Sequence, residues 1–156
     1  MRKLRFGVLG TAKIAREKVI PPMQRGQRCE VVAIASRDPA VAREVAAGLG
    51  IPAAHDSYEA LLADPAVEAV YIPLPNHLHV PWTVRAAEAG KHVLCEKPIG
   101  TSAADAEELL EVRDRTGVRI QEAFMVRTHP QWLRAREIVR SGRLGELRAI
   151  QGQFTA

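Results

Sequence analysis

The 156 residues are 47% hydrophobic and 26% charged, a globular composition with enough length for one domain and its core but not for two full domains. The 22 Lys and Arg outnumber 18 acids for a net charge of +4, yet they are scattered rather than gathered in a run, which argues against nucleic-acid binding. The basic start and the apolar Phe6-Gly-Val-Leu-Gly10 mimic a signal peptide, but Lys13 and Arg16 interrupt it, and no run approaches the roughly 18 apolar residues of a membrane span.

In chain order, residues 4–9 are β-rich with imperfect alternation, and residues 31–35 (Val-Val-Ala-Ile-Ala) form a continuous apolar run typical of a strand buried on both faces. A helix follows, with Asp38 as N-cap, Pro39 at its first position, Val41, Val45 and Leu49 along one face, and Gly50 as the stop. Residues 69–72 and 92–95, counted as the fourth and fifth strands, are further apolar runs. Between them a helix opens at Asn76, places Leu78, Trp82, Ala86 and Ala89 on one face and closes at Gly90. Ser102 and Asp105 form an S-x-x-D start for a helix ending near Gly117. Residues 118–124 read as the sixth strand, and Trp132, Ala135 and Val139 stripe a last helix that Gly142 terminates. Residues 147–156 read as one more strand, an opening with nothing to pair with in this chain.

Strands alternating with helices across short loops predict a doubly wound α/β fold, a parallel sheet of Rossmann type with helices on both faces. Ligands of such sheets sit at the carboxyl ends of the strands, so the residues that follow each strand are the candidate site. The expected division is a dinucleotide-binding domain over residues 1–124, then a linking helix and the first strand of a truncated second domain over 125–156.

After the first strand, Gly10-x-Ala12-x-x-Ala15 aligns with the dinucleotide fingerprint G-x-G-x-x-G/A. Gly10 would make the tight turn and Ala15 the close helix packing, while Ala12 replaces the glycine that lets the backbone approach a pyrophosphate. The amides of Lys13 and Ile14 at the helix N-terminus would face that anion; an ordinary strand-to-helix turn is the alternative. The second strand ends in Ser36-Arg37, where an NAD site usually presents an acid to the ribose. A hydroxyl and a guanidinium suit a 2′-phosphate, so NADP is preferred over NAD; the alternative is a solvated arginine. The loop of Pro73, Leu74, Pro75 and Asn76 lies on the same edge. Asn76 either caps its helix or touches the cofactor, and His79 is either a cofactor contact or a packed surface histidine. The fifth strand ends in Glu96-Lys97-Pro98; the proline permits a cis peptide, which would turn inward a Lys97 able to hold a substrate oxygen or move a proton. A salt-bridged surface lysine is the alternative. Cys29 and Cys95 lack metal spacing and read as two buried thiols of a reducing, cytoplasmic compartment.

Together, residues 10–15 (Gly-Thr-Ala-Lys-Ile-Ala), Ser36-Arg37, residues 72–79 (Ile-Pro-Leu-Pro-Asn-His-Leu-His), residues 86–98 ending in Glu-Lys-Pro, and residues 122–125 (Glu-Ala-Phe-Met) resemble the Gfo/Idh/MocA (glucose-fructose oxidoreductase) family, and within it the NADP-linked xylose and dihydrodiol dehydrogenases. The resemblance implies an oxidoreductase of sugars, polyols or related alcohols with Lys97 as the active-site lysine. It implies cofactor contacts at Gly10, Thr11, Ala12, Lys13, Ile14, Ser36, Arg37, Leu74, Pro75, Asn76, His79, Glu96, Lys97 and Arg127. Val126 departs from the common pattern, which carries tyrosine there. Family members continue into a second domain that covers the cofactor and supplies substrate contacts. Two further readings therefore stand beside turnover: a module or remnant that binds NADP without reacting, and an interaction protein that dimerises through residues 147–156.

Overall fold

The computed structural model describes residues 2–153. Six strands form one sheet in the order β3-β2-β1-β4-β5-β6, and every pairing is parallel. The strands are β1 (Leu4–Leu9), β2 (Cys29–Ala35), β3 (Ala53–His55), β4 (Ala69–Ile72), β5 (His92–Cys95) and β6 (Ile120–Glu122). Order reverses between β1 and β4, the switch point at which doubly wound sheets open a crevice.

Alternating residues of the same strands fill two cores. Leu9, Ala33, Ala35, Val70, Ile72, Val93 and Cys95 face α3 (Tyr58–Ala63) and α4 (His79–Glu88), while Val8, Val31, Ile34 and Tyr71 face α1 (Ile20–Arg25) and α2 (Pro39–Leu49). Gly7 shows how closely these layers approach: a Cβ there would stand 2.6 Å from Leu61 Cδ2. The helix α5 (Ala103–Thr116) joins α4 through a smaller cluster of Ala87, Val112 and Val118.

Local chemistry sets several boundaries. Asp38 accepts from the amides of Ala40 (2.9 Å) and Val41 (3.4 Å) to start α2, and Gly50 ends it in the left-handed region at φ 65°. Ser102 and Asp105 form a complete capping box on α5. Ahead of α1 lies a π-helical turn, Ala15–Val19, in which the Ile20 amide reaches Ala15 O. Pro21 and Pro22 explain it: neither has an N–H to close the α-helical bonds to Glu17 and Lys18.

Several expectations are corrected. The helix after β4 does not open with a capping Asn76: residues Asn76–Leu78 make a 3₁₀ turn without a side-chain cap, and α4 begins at His79. Its buried residues are His79, Thr83, Ala86 and Ala87, and Ala89 is exposed. The polar His79 and Thr83 conceal that face from a hydrophobicity count. The sixth strand keeps only three residues of the expected seven. Cys95 is buried, whereas Cys29 is half-buried, so only one thiol is a core residue. Burial pushes the Cys95 thiol up to about 12, leaving it neutral and unreactive.

The chain divides into the units Met1–Ala123 and Phe124–Ala156. The second contains a 3₁₀ turn, Met125–Arg127, and α6 (Pro130–Arg140), none of whose residues is buried. The expected strand over 147–156 does not form across residues 147–153, which have no regular structure; the last three lie outside the described residues. A strand needs a neighbour to satisfy its backbone groups, and residues 147–153 have none among the described residues. No helix among the described residues is long and apolar enough to cross a membrane.

Candidate functional site

The crevice is built around Gly10, which leaves β1 with φ 102°, a value L side chains rarely adopt. Its amide donates to Ala35 O (2.7 Å), locking the turn to the end of β2. A Cβ on Gly10 would meet Leu74 Cδ2 at 3.0 Å and the Tyr58 hydroxyl at 3.6 Å, so the turn, the loop after β4 and the start of α3 converge there. Thr11 and Ala12 are half-buried, and Lys13 and Ile14 open the helix with exposed side chains. The Arg16 amide is the one that closes back on Ala12 O (3.1 Å). The amides of the preceding turn are the ones a helix N-terminus offers to an anion. Ala12 adds a single methyl group at this turn.

At the end of β2, Ser36 is buried and its Oγ accepts from the Asp38 amide (3.3 Å), a bond that does not use the hydroxyl proton. Arg37 is exposed, and among the described residues no carboxylate pairs with it. Its charge acts on Tyr58, whose phenol burial pushes up and the Arg37 guanidinium pulls back down. Tyr58 belongs to the crevice as well: it opens a helix of only six residues, and with Leu61 and Leu62 at i+3 and i+4 it reads in the sequence as a core position, not a site residue.

Across the switch point, Leu74 is half-buried, and Pro75 and Asn76 are exposed. His79 is not a surface residue: at 1% exposure it places Nε2 2.7 Å from Leu74 O and Nδ1 2.7 Å from Pro98 O.

The loop after β5 is held at several points. The Glu96 amide donates to Ile72 O (3.0 Å), and Glu96 Oε1 accepts from the Tyr71 hydroxyl (2.7 Å) while Oε2 accepts from the Lys97 amide (3.3 Å). Burial, then the Glu96 carboxylate, push the Tyr71 phenol far above its ordinary value, so Tyr71 remains a donor. One residue beyond the cis Lys97-Pro98 peptide, the Ile99 amide donates to Glu122 Oε1 (2.9 Å). Lys97 itself is exposed, and no carboxylate pairs with it among the described residues, unlike the salt-bridged alternative. Arg127, exposed at the end of a 3₁₀ turn, belongs to the second unit. Tyr71 and Glu122 were not singled out as site residues: one reads as a strand residue, and the other acts only once β6 lies beside β5.

A parallel sheet with a tight glycine turn at its switch point and polar residues along the carboxyl edge defines a nucleotide-binding α/β domain. The chain belongs to the Gfo/Idh/MocA oxidoreductase family: the model for its NAD-binding Rossmann fold matches residues 4–124, so this is an NAD(P)-binding domain. The chain is 50% identical over 150 residues to D-xylose 1-dehydrogenase (NADP(+)) 2 of Haloferax volcanii, covering 96% of this chain and 46% of the relative. It is 37% identical over 153 residues to trans-1,2-dihydrobenzene-1,2-diol dehydrogenase of Mus musculus, covering 97% and 46%. Among solved structures it is similar to a 3-ketoreductase from Actinomadura kijaniata in complex with TDP-benzene and NADP, with TM-score 0.87 and 39% identity over 94% of this chain and 45% of that one. The chain thus spans about half the length of the curated relatives it matches.

Proposed function

We propose that this chain is the cofactor-holding half of an NADP-linked oxidoreductase of sugars, polyols or related alcohols. One observation carries the cofactor preference: at the end of β2 an Arg37 guanidinium with no carboxylate partner among the described residues and the Ser36 hydroxyl stand where an NAD site would present an acid. Arginine can donate two parallel charge-assisted bonds to a 2′-phosphate, and an acid there would repel it. Similarity to an enzyme named as NADP(+)-linked and to a structure in complex with NADP supports the same reading.

The Gly10 turn and the amides of Thr11 to Ile14 would hold the pyrophosphate, with Leu74, Pro75 and Asn76 walling the opposite side of the crevice. A bound nicotinamide would supply hydride transfer. Lys97, at the carboxyl edge of β5, would hold the substrate oxygen and carry the proton that leaves or joins it, while Glu96, oriented by Tyr71, fixes the backbone beneath it.

For the substrate class, the support is the sugar-linked naming of relatives, and the test is reduction of NADP across a panel of aldoses and polyols followed by nicotinamide absorbance. Turnover with one or more supports the oxidoreductase reading. A second reading is a module that holds NADP without turnover. Cofactor binding with no reduction across the panel supports that module.

A further inference from the structure

The two tyrosines of the chain use their hydroxyls differently. Tyr71 donates to Glu96 Oε1 (2.7 Å), whereas the Tyr58 hydroxyl has no hydrogen-bond partner among the described residues, although the residue is only 7% exposed. Thr83 Oγ1 is the one side-chain polar atom among those residues that is both sealed and unpartnered, so the Tyr58 oxygen still reaches open space. That space is the crevice: the oxygen stands 3.6 Å from the position a Cβ on Gly10 would take, with Leu74 Cδ2 3.0 Å from the same point. A phenylalanine would fill the same core position. What the hydroxyl adds is a donor at the crevice.

The ring that carries this donor is clamped. Ser57 Oγ accepts from the Ala60 amide (3.0 Å) and starts α3 with Tyr58 as its first residue. The Trp82 ring meets the tyrosine edge-on, at 88° with centroids 4.8 Å apart, and the Arg85 guanidinium lies 4.7 Å from the Trp82 centroid while pairing with Glu59 at 3.1 Å. Arg85 and Trp82 of α4 thus hold the first turn of α3, and little side-chain entropy is left to lose when the hydroxyl meets a ligand. Burial raises the Tyr58 phenol more than the Arg37 guanidinium lowers it, so the group stays a protonated donor in the field of an exposed cation. A donor beside a guanidinium that has no carboxylate partner among the described residues suits an anion, and Ser36 brings a second hydroxyl to the end of β2.

We propose that Tyr58 is a specificity-determining residue: its hydroxyl donates to the 2′-phosphate on the adenosine ribose, as a third donor beside Arg37 and Ser36. This deepens the NADP reading and rests on it. The choice of dinucleotide then belongs to three elements, the Gly10 turn, the end of β2 and the first turn of α3, rather than to the end of β2 alone.

The test is Tyr58→Phe in the 156-residue chain, titrated calorimetrically with NADPH and, separately, NADH at fixed salt. The Kd for NADPH should rise about tenfold, the worth of one hydrogen bond to a charged group, while that for NADH changes less than about twofold. Unchanged NADPH binding overturns the proposal. An equal loss with both dinucleotides overturns it too, because it puts the hydroxyl on a group that both share. The thermal midpoint should match that of the parent chain, since no partner within the protein is lost; a drop of more than about 3 °C would show the hydroxyl engaged in the fold and overturn the assignment. A parent chain that binds neither dinucleotide, or both equally, sinks the proposed cofactor function together with this contact, whereas a parent that prefers NADPH beside an unaltered Tyr58→Phe sinks the contact alone.

Discussion

At Gly10 a φ of 102° and a side chain 3.0 Å from the position of a Cβ act together, so Gly10→Ala strains the backbone and pushes Leu74 at once. Held conformations of this kind cost about 1–3 kcal/mol for a non-glycine residue, and the thermal midpoint of Gly10→Ala should fall accordingly, with NADPH binding weakened in the same variant. An unchanged midpoint would mean the turn relaxes freely. Arg37 is a different case, because it is exposed and makes no ion pair among the described residues. Arg37→Asp should leave stability alone and lower the preference for NADPH over NADH by roughly ten- to hundredfold, the value of a hydrogen-bonded charge. Equal titration curves before and after the substitution would remove Arg37 from the cofactor reading. Tyr71 donates from a nearly fully buried ring to Glu96, so Tyr71→Phe leaves that carboxylate oxygen without its donor, at about 1–3 kcal/mol in a denaturant titration.

Among the elements, α5 stands on its capping box and carries few buried residues, only Leu109 and Val112. Ser102→Ala should cost about 1 kcal/mol by denaturant midpoint, and less than a few tenths would show that Asp105 alone suffices. The acid limb of stability has the same origin. The amides of Ala66 for Asp64 and of Thr101 for Asp105 hold both carboxyls below their ordinary 3.8. Groups with depressed folded values contribute stability that is fully present above the unfolded value and lost as pH falls through the folded one. The melting midpoint should therefore be flat from neutrality to about pH 5 and fall below about pH 4; a midpoint that rises on acidification would contradict these assignments. Elements with their own punctuation were legible in the sequence. The runs at 69–72 and 92–95 are β4 and β5 to the residue, and Asp38, Pro39 and Gly50 bound α2. What went unread lacks a local mark. β3 is three residues long, too short for a period, and α3 starts from Ser57, whose hydroxyl accepts from the Ala60 amide without the acidic partner of a capping box. The buried face of α4 is hidden because His79 and Thr83 are polar, and the burial of His79 depends on two carbonyls that only the folded sheet brings to it.

Over the whole molecule, the sheet sets two polar clusters on one edge. Gly10, Ser36 and Arg37 lie at the ends of β1 and β2, and Leu74, Glu96 and Lys97 at the ends of β4 and β5, with the switch point between them. The edge was legible because parallel strands deliver their carboxyl ends to one side, whereas the connection of its two halves through His79 was not. The central claim is that this edge holds NADP(H), and it is tested most directly by calorimetric titration of the 156-residue chain with NADPH and, separately, NADH at fixed salt. The account predicts saturable one-to-one binding of NADPH that is at least about tenfold tighter than that of NADH, the worth of one charge-assisted contact to the 2′-phosphate. Binding of neither, or equal binding of both, would contradict it.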